Sequence, residues 1–382
     1  MRSHPRLLLD AGPYSLGADT ITGIGVRIAE LAQTLAAEFP VLVMVDDVTD
    51  CVPVDPAQLV STVDWRRMLA GSDVVFFFDM PETARLEAAV RGGNLIVTEN
   101  APPVEHLEYP SLLGAPDPAA VHRDLVAAFA RQLQVSHHFL CRSQVERVAL
   151  IASLCVAGRL GPDDVARSRV LEHLVSTIPI GFSAASAAAA VAADARPLAD
   201  VLWTGGLWSY FDPLLLVEAI AKCHARGVML TAAFLYAQAT RDSRESVRRV
   251  AARVDQLGLR DAIRLCDRPP RHQERDSIVK GARALVCVAR PGIENETCVR
   301  LRIRDSRLYG VPTIVDSSGP TATELLNDGL GRVLSSNSAD ELADALVGAA
   351  AGHAAGRARD SYCYDRTVAN LTAWLEGARN GT

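Results

Sequence analysis

With 382 residues, 49% of them hydrophobic and 22% charged, the chain is too apolar to be disordered and long enough for two domains with separate cores. A net charge of −6 argues against a general nucleic-acid binder. The eight cysteines are scattered without a Cys-x-x-Cys pair or a zinc spacing, which predicts reduced core residues in a cytoplasmic protein. The first residues carry too short an apolar run for a signal peptide, and no apolar stretch reaches the ~18 residues of a transmembrane helix.

Short apolar runs alternate with helical patterns along the chain. "RLLLDAG" (6–12), "VLVMVDD" (41–47), "DVVFFFD" (73–79), "NLIVTEN" (94–100) and "HHFLCRS" (137–143) read as strands, and 25–39, 121–134 and 144–156 as helices. The strands are continuously apolar rather than alternating, which predicts a parallel sheet covered on both faces. The alternation pauses at the alanine-rich stretch 176–200, where "IPIGF" (178–182) reads as a linker between domains. It then restarts: strands at "DVLWTGG" (200–206), "GVMLTAAFLY" (227–236), "AIRLCD" (262–267), "ALVCVAR" (284–290) and "PTIVDSS" (312–318) are separated by helical patterns, and 362–379 closes the chain as a helix. The expected fold is therefore α/β, with two Rossmann-like doubly wound parallel-sheet domains. These are residues 1–180 and 181–360, facing a central cleft, with 361–382 crossing back to the first domain.

Charge is concentrated in 290–319, "RPGIENETCVRLRIRDSRLYGVPTIVDSSG". Thr297 is expected to cap a helix from about Cys298 to Tyr309, with Gly310 past its end. Arg300 would then lie in a first turn, where a cation opposes the macrodipole, and that placement points to an anionic partner such as a diphosphate. Glu294, Glu296 and Asp305 are acceptors suited to sugar or ribose hydroxyls. A solvated, salt-bridged helix is the alternative that composition leaves open.

The tandem domains, "IPIGF", and "DSRLYGVPTIVDSSGPTATEL" (305–325) resemble the two-domain GT-B glycosyltransferases of family four. A subgroup is more similar still, at "TGIGVRIAELAQTLA" (22–36), "LIVTENAPPVEHLE" (95–108), "FLCRSQVER" (139–147), "VLWTGGLWSYFDPLLLVEAI" (201–220) and an Arg-x-Arg at Arg300 and Arg302. The main family places an Arg after a glycine, and a Lys about five residues on, against the donor diphosphate. This chain reads Gly205-Gly206-Leu207, with Tyr210 and Phe211 near the lysine position.

The resemblance implies retaining transfer of a sugar from a nucleotide-diphosphate sugar to a small-molecule or glycan acceptor. Arg300, Arg302 and the Gly205–Gly206 backbone would stabilise the leaving diphosphate, and Glu294 would orient the donor sugar. Asp305 would hold the ribose, with Glu296, Thr297 and Gly25 completing the donor site. Glu99, Asn100 and His106 are candidates to touch the acceptor. His137 and His138, opening an apolar strand, read as structural. No metal site and no cofactor beyond the co-substrate are expected. A homodimer is left open, as are a pseudo-glycosyltransferase joining cyclitol units and a nucleotide-sugar epimerase of the same architecture.

Overall fold

The computed structural model describes residues 4–99, 102–352 and 359–378. Two compact units form. The first comprises the chain up to Pro103, Ala119–Ser186 and the chain from Asp360 on; the second comprises Val104–Pro118 and Ala187–Arg359. Each is built on a parallel sheet, so the two doubly wound α/β domains expected from the sequence are present.

The first sheet contains β1 (Leu7–Asp10), β2 (Val41–Val45), β3 (Gln58–Ser61), β4 (Val74–Phe78), β5 (Leu95–Glu99), β6 (His138–Cys141) and β7 (Val175–Thr177), in the order 3-2-1-4-5-6-7. Successive strand side chains point to opposite faces. Leu7, Leu9, Val74, Phe76 and Phe78 therefore enter one core, with Ile28, Leu31 and Leu35 of helix Gly23–Leu35. Leu8, Val75 and Phe77 enter another, with Leu69, Leu86 and Ala89 from helices Trp65–Ala70 and Thr83–Gly92. Burial on both faces is why these strands read as unbroken apolar runs. β3 and β7 escaped the sequence reading: β3 is an edge strand with an exposed first residue, and β7 is only three residues long.

The second sheet contains β8 (Val201–Gly206), β9 (Ala232–Tyr236), β10 (Ile263–Leu265), β11 (Ala284–Cys287), β12 (Thr313–Val315) and β13 (Gly331–Val333), in the order 10-9-8-11-12-13. β8 and β11 are central neighbours, so the loops leaving their carboxyl ends open together. Among the described residues, no helix is long and apolar enough to cross a membrane.

The segment 178–182, read from sequence as a linker between domains, packs within the first unit, which continues to Ser186. Ile178, Ile180 and Phe182 are buried in the first unit. Phe182 N–H donates to the Tyr362 carbonyl (3.2 Å) and Tyr364 N–H returns to the Phe182 carbonyl (2.8 Å). Arg27 closes this corner. Its guanidinium donates to both Glu99 oxygens (2.6–2.9 Å), to the Ile178 carbonyl (2.9 Å) and to Tyr364 Oη (2.9 Å). Helix Ala369–Ala378 then adds Leu371 and Leu375 to the same core.

Gly181 is tightly confined: a Cβ there would come within 1.9 Å of the Tyr362 carbonyl oxygen. Gly181→Val is therefore expected to lower unfolding stability by about 1–3 kcal/mol, the scale of core overpacking, as read by chemical denaturation. Unchanged stability would show that this corner yields freely.

Candidate functional site

The carboxyl ends of β8 and β11 are tied together by main chain. Asp212 N–H donates to the Val288 carbonyl (3.0 Å) and Arg290 N–H to the Tyr210 carbonyl (2.9 Å). Beyond β11 come the short helix Ile293–Thr297, an irregular stretch 298–302 and helix Ile303–Tyr309. The expected helix from Cys298 is thus corrected. Thr297 ends a helix instead of capping one, with its hydroxyl donating to the Ile293 carbonyl (2.8 Å). Arg300 lies outside any helix, so the macrodipole argument for an anion there falls. Its N–H is taken by Thr321 Oγ1 (3.1 Å), which holds the strand-like path that sends its side chain inward. Gly310 does end the following helix, in the left-handed conformation (φ 68°) that glycine favours.

The two arginines of the Arg-x-Arg have opposite environments. Arg300 is buried and neutralised: Nη1 and Nη2 donate to the two Glu294 oxygens (3.2 and 2.7 Å), and Nη2 also to Asn295 Oδ1 (2.9 Å). Asn295 continues to Asp316 Oδ2 (2.6 Å) and Ser318 Oγ (2.9 Å), and Asp316 accepts from Ala289 N–H (2.8 Å). Burial alone would lower the Arg300 pKa, but the Glu294 charge holds it above the ordinary range. Burial pushes the Glu294 carboxyl up, and Arg300 opposes the rise.

Among the described residues, Arg302 has no carboxylate partner. Its guanidinium lies 3.9 Å from the Phe211 ring centroid and 5.0 Å from that of Trp203, and Nη2 donates to the Gly206 carbonyl. Nη1 is shut off from solvent without a hydrogen-bond acceptor. Burial pulls this arginine's pKa below its ordinary value. Glycine beneath it leaves room for this placement, because a Cβ at Gly205 would come 2.2 Å from Arg302 Nε. Arg302 is thus a half-buried cation over aromatic faces, at the carboxyl edge of β8, whose Nη1 has no acceptor among the described residues. Such a group can take an oxyanion.

Asp305 is buried on the first turn of the following helix, where Arg275 Nη1 and Nη2 donate to its two oxygens (2.9 and 2.5 Å). Burial would raise its pKa; Arg275, then Arg304 and Thr204, hold it below the ordinary range. Arg275 also donates to Tyr236 Oη (3.1 Å) at the end of β9. Sequence reasoning missed Arg275, whose helix "HQERDSIVKG" (272–281) carries charges of both signs and no motif.

The softer candidates fare differently. Glu296 is exposed. Gly25 stands in the first turn of its helix, where a Cβ would meet the Ser15 carbonyl at 2.3 Å, so packing alone requires glycine. Glu99 is buried in its ion pair with Arg27. Asn100 lies outside the described residues. His106 belongs to the second unit, with its ring 5.2 Å from that of Tyr109. His138 stacks on Trp374 (4.6 Å) and burial pushes its pKa down to about 4, in keeping with a structural ring. Trp203 is fully buried beneath Arg302.

No family model and no curated protein matches the chain. Solved structures are similar in fold. HepE from Anabaena, in complex with UDP-glucose, aligns over 99% of this chain and 100% of its own at 14% identity and a TM-score of 0.60. The α,α-trehalose-6-phosphate synthase of Burkholderia multivorans aligns over 99% of each chain at 11% identity and a TM-score of 0.56. A protein of Listeria monocytogenes, proposed to be a UDP-N-acetylglucosamine 2-epimerase, aligns over 98% of each chain at 12% identity and a TM-score of 0.51. At these identities the likeness shows the two-domain fold.

Gly205→Ala is expected to push the Arg302 guanidinium off its ring faces. In a double-mutant cycle by chemical denaturation, it should cost about 1–3 kcal/mol with Arg302 present and close to nothing in an Arg302→Ala background. Equal costs in both backgrounds would mean that Arg302 and Gly205 are not coupled.

Proposed function

We propose that this chain is a glycosyltransferase that uses a nucleotide-diphosphate sugar, of the GT-B kind resembling family four. The observation that carries the reading is Arg302. Two buried arginines of this region are matched to acids, Arg300 to Glu294 and Arg275 to Asp305. Arg302 instead has a buried Nη1 with no acceptor among the described residues, at the strand ends where ligands of such sheets bind. The similar structures that carry UDP-glucose in their names lend support at the level of fold.

In this reading the bond between the anomeric carbon and the diphosphate oxygen breaks, and a bond to an acceptor hydroxyl or amine forms. The acceptor's proton passes to the departing phosphate. Configuration is retained by attack from the face the leaving group vacates. Arg302 and the Gly205–Gly206 backbone stabilise charge as it develops on the diphosphate. Arg300 and Glu294 act as a neutral pair that fixes the floor of the site, a narrower role than direct contact with substrate. Asp305, held by Arg275, keeps its charge for the ribose hydroxyls. The site needs no metal in this scheme, and the protein works in the cytoplasm on a small-molecule or glycan acceptor. Hexosyl transfer is the expected specificity. The Gly205-Gly206-Leu207 departure also suits a pseudo-glycosyltransferase, and the fold likeness to the Listeria protein supports an epimerase as the competing reading. Product analysis with a nucleotide-sugar panel separates coupled product from epimer.

Two experiments test the proposal. Arg302→Ala should weaken nucleoside-diphosphate binding by about 1.5–3 kcal/mol, the scale of hydrogen bonds to a charged group. Arg300→Ala should chiefly destabilise the fold by about 3–5 kcal/mol, because it strands buried Glu294. Calorimetric affinity unchanged in Arg302→Ala would remove the central assignment. Turnover should also persist in excess EDTA; loss restored by magnesium or manganese would contradict protein-based stabilisation of the leaving group.

A further inference from the structure

The segment Val104–Pro118 leaves β5 of the first sheet in sequence, yet belongs to the second unit. It is held there at several points. Ser111 N–H donates to Asp242 Oδ1 (2.6 Å), and Tyr109 stacks on Tyr210 with ring centroids 5.8 Å apart and planes 21° apart. Ser209 Oγ donates to the Glu108 carbonyl (3.3 Å). These contacts fix the Glu108 side chain against the segment after β11, where its Oε1 accepts from Ile293 N–H (2.9 Å). Gly292 makes the approach possible, since a Cβ there would lie 2.4 Å from the same oxygen.

Among the described residues, no arginine or lysine forms an ion pair with Glu108. The nearest guanidinium network is committed elsewhere, with Arg300 donating to Glu294. The turn 206–211 therefore has two uncompensated charges disposed about it. Arg302 rests on Gly206 and Phe211; Ser209 holds the Glu108 main-chain carbonyl and Tyr210 stacks on Tyr109, which leaves the Glu108 carboxylate on Ile293 N–H beside Gly292. A carboxylate repels phosphate and accepts readily from hydroxyls. The two charges suit opposite ends of one ligand, anionic at one end and rich in hydroxyl donors at the other.

Building on the glycosyltransferase reading, we propose that Glu108 accepts hydrogen bonds from the hydroxyls of the donor's glycosyl unit and so takes part in selecting it. Arg302 holds the diphosphate end. Glu108 is then a specificity-determining residue supplied by a segment that the sequence alone assigns to the other domain.

The test compares ligands with and without the sugar. Calorimetry would measure UDP, ADP and GDP against UDP-glucose, ADP-glucose and GDP-glucose, on the wild-type chain and on Glu108→Gln. The substitution keeps an acceptor for Ile293 N–H, so a purely structural role would survive it. The expected result is about a tenfold loss of affinity for the accepted nucleotide sugar, the scale of one hydrogen bond to a charged group, with no change for the matching nucleoside diphosphate. Equal losses for both ligands, or no loss for either, would overturn the assignment of Glu108 while leaving the glycosyltransferase reading in place. If the wild-type chain binds none of the six ligands, that reading itself fails and this inference with it.

Discussion

A guanidinium removed from water loses more solvation than nearby apolar contacts can replace, so something must take over the role of its hydration shell. The chain meets this constraint repeatedly with carboxylates. Arg27 is matched to Glu99, Arg275 to Asp305, Arg300 to Glu294, and Arg307 to Glu324 and Asp328. These pairs knit strand ends and helix starts together, and the geometry of both sheets' carboxyl edges depends on them. Arg302 meets the constraint differently, with two aromatic faces and one backbone carbonyl. Quadrupoles and a single carbonyl compensate a full charge only in part. The imbalance is confined to one place at the centre of the second sheet, and that confinement is what separates a candidate site from the surrounding structural ion pairs.

Much of the fold was legible because parallel sheets write themselves plainly. "VVFFF" must be buried on both faces, and it is, with alternate residues feeding two cores. Gly310 and the strand after it were readable from turn chemistry and β-branching. What was not legible was the path of 297–302. Its charges suited a helix start, but Val299 and Arg300 are both buried, and a tertiary hydrogen bond from Arg300 N–H to Thr321 Oγ1 overrides the local preference. Arg275 carried no signal either, since a lone arginine on an amphipathic helix resembles any solvated residue until its partner 30 positions later is located.

Among the candidate residues, the sequence showed the neighbourhood but not the pairing. The structure sets Arg302 on Gly206, Arg300 on Glu294 and Asp305 on Arg275. Sequence could not divide the labour among them. Arg300 and Arg302 are two residues apart and chemically identical, and only the location of Glu294 and Phe211 makes one a structural tie and the other an unmatched cation. Glu108 was passed over for the opposite reason: its distance from the arginines in sequence hid its place in the same unit.

The tail has a consequence for how the chain reaches this state. Tyr364, Val368, Leu371 and Leu375 belong to the core of the unit that begins with β1. During synthesis, the strands of the first sheet cannot finish their packing until residues 364–375 have emerged. Domains ordinarily fold in order from the amino terminus, but here the leading sheet must wait for the trailing helix, while Ala187–Arg359 can complete most of its own contacts beforehand. In the interval, the face of β1 and β4 that will receive the tail is exposed apolar surface. The nascent chain is therefore most prone to aggregate before residues 364–375 appear, and of the two units the one begun first is completed last.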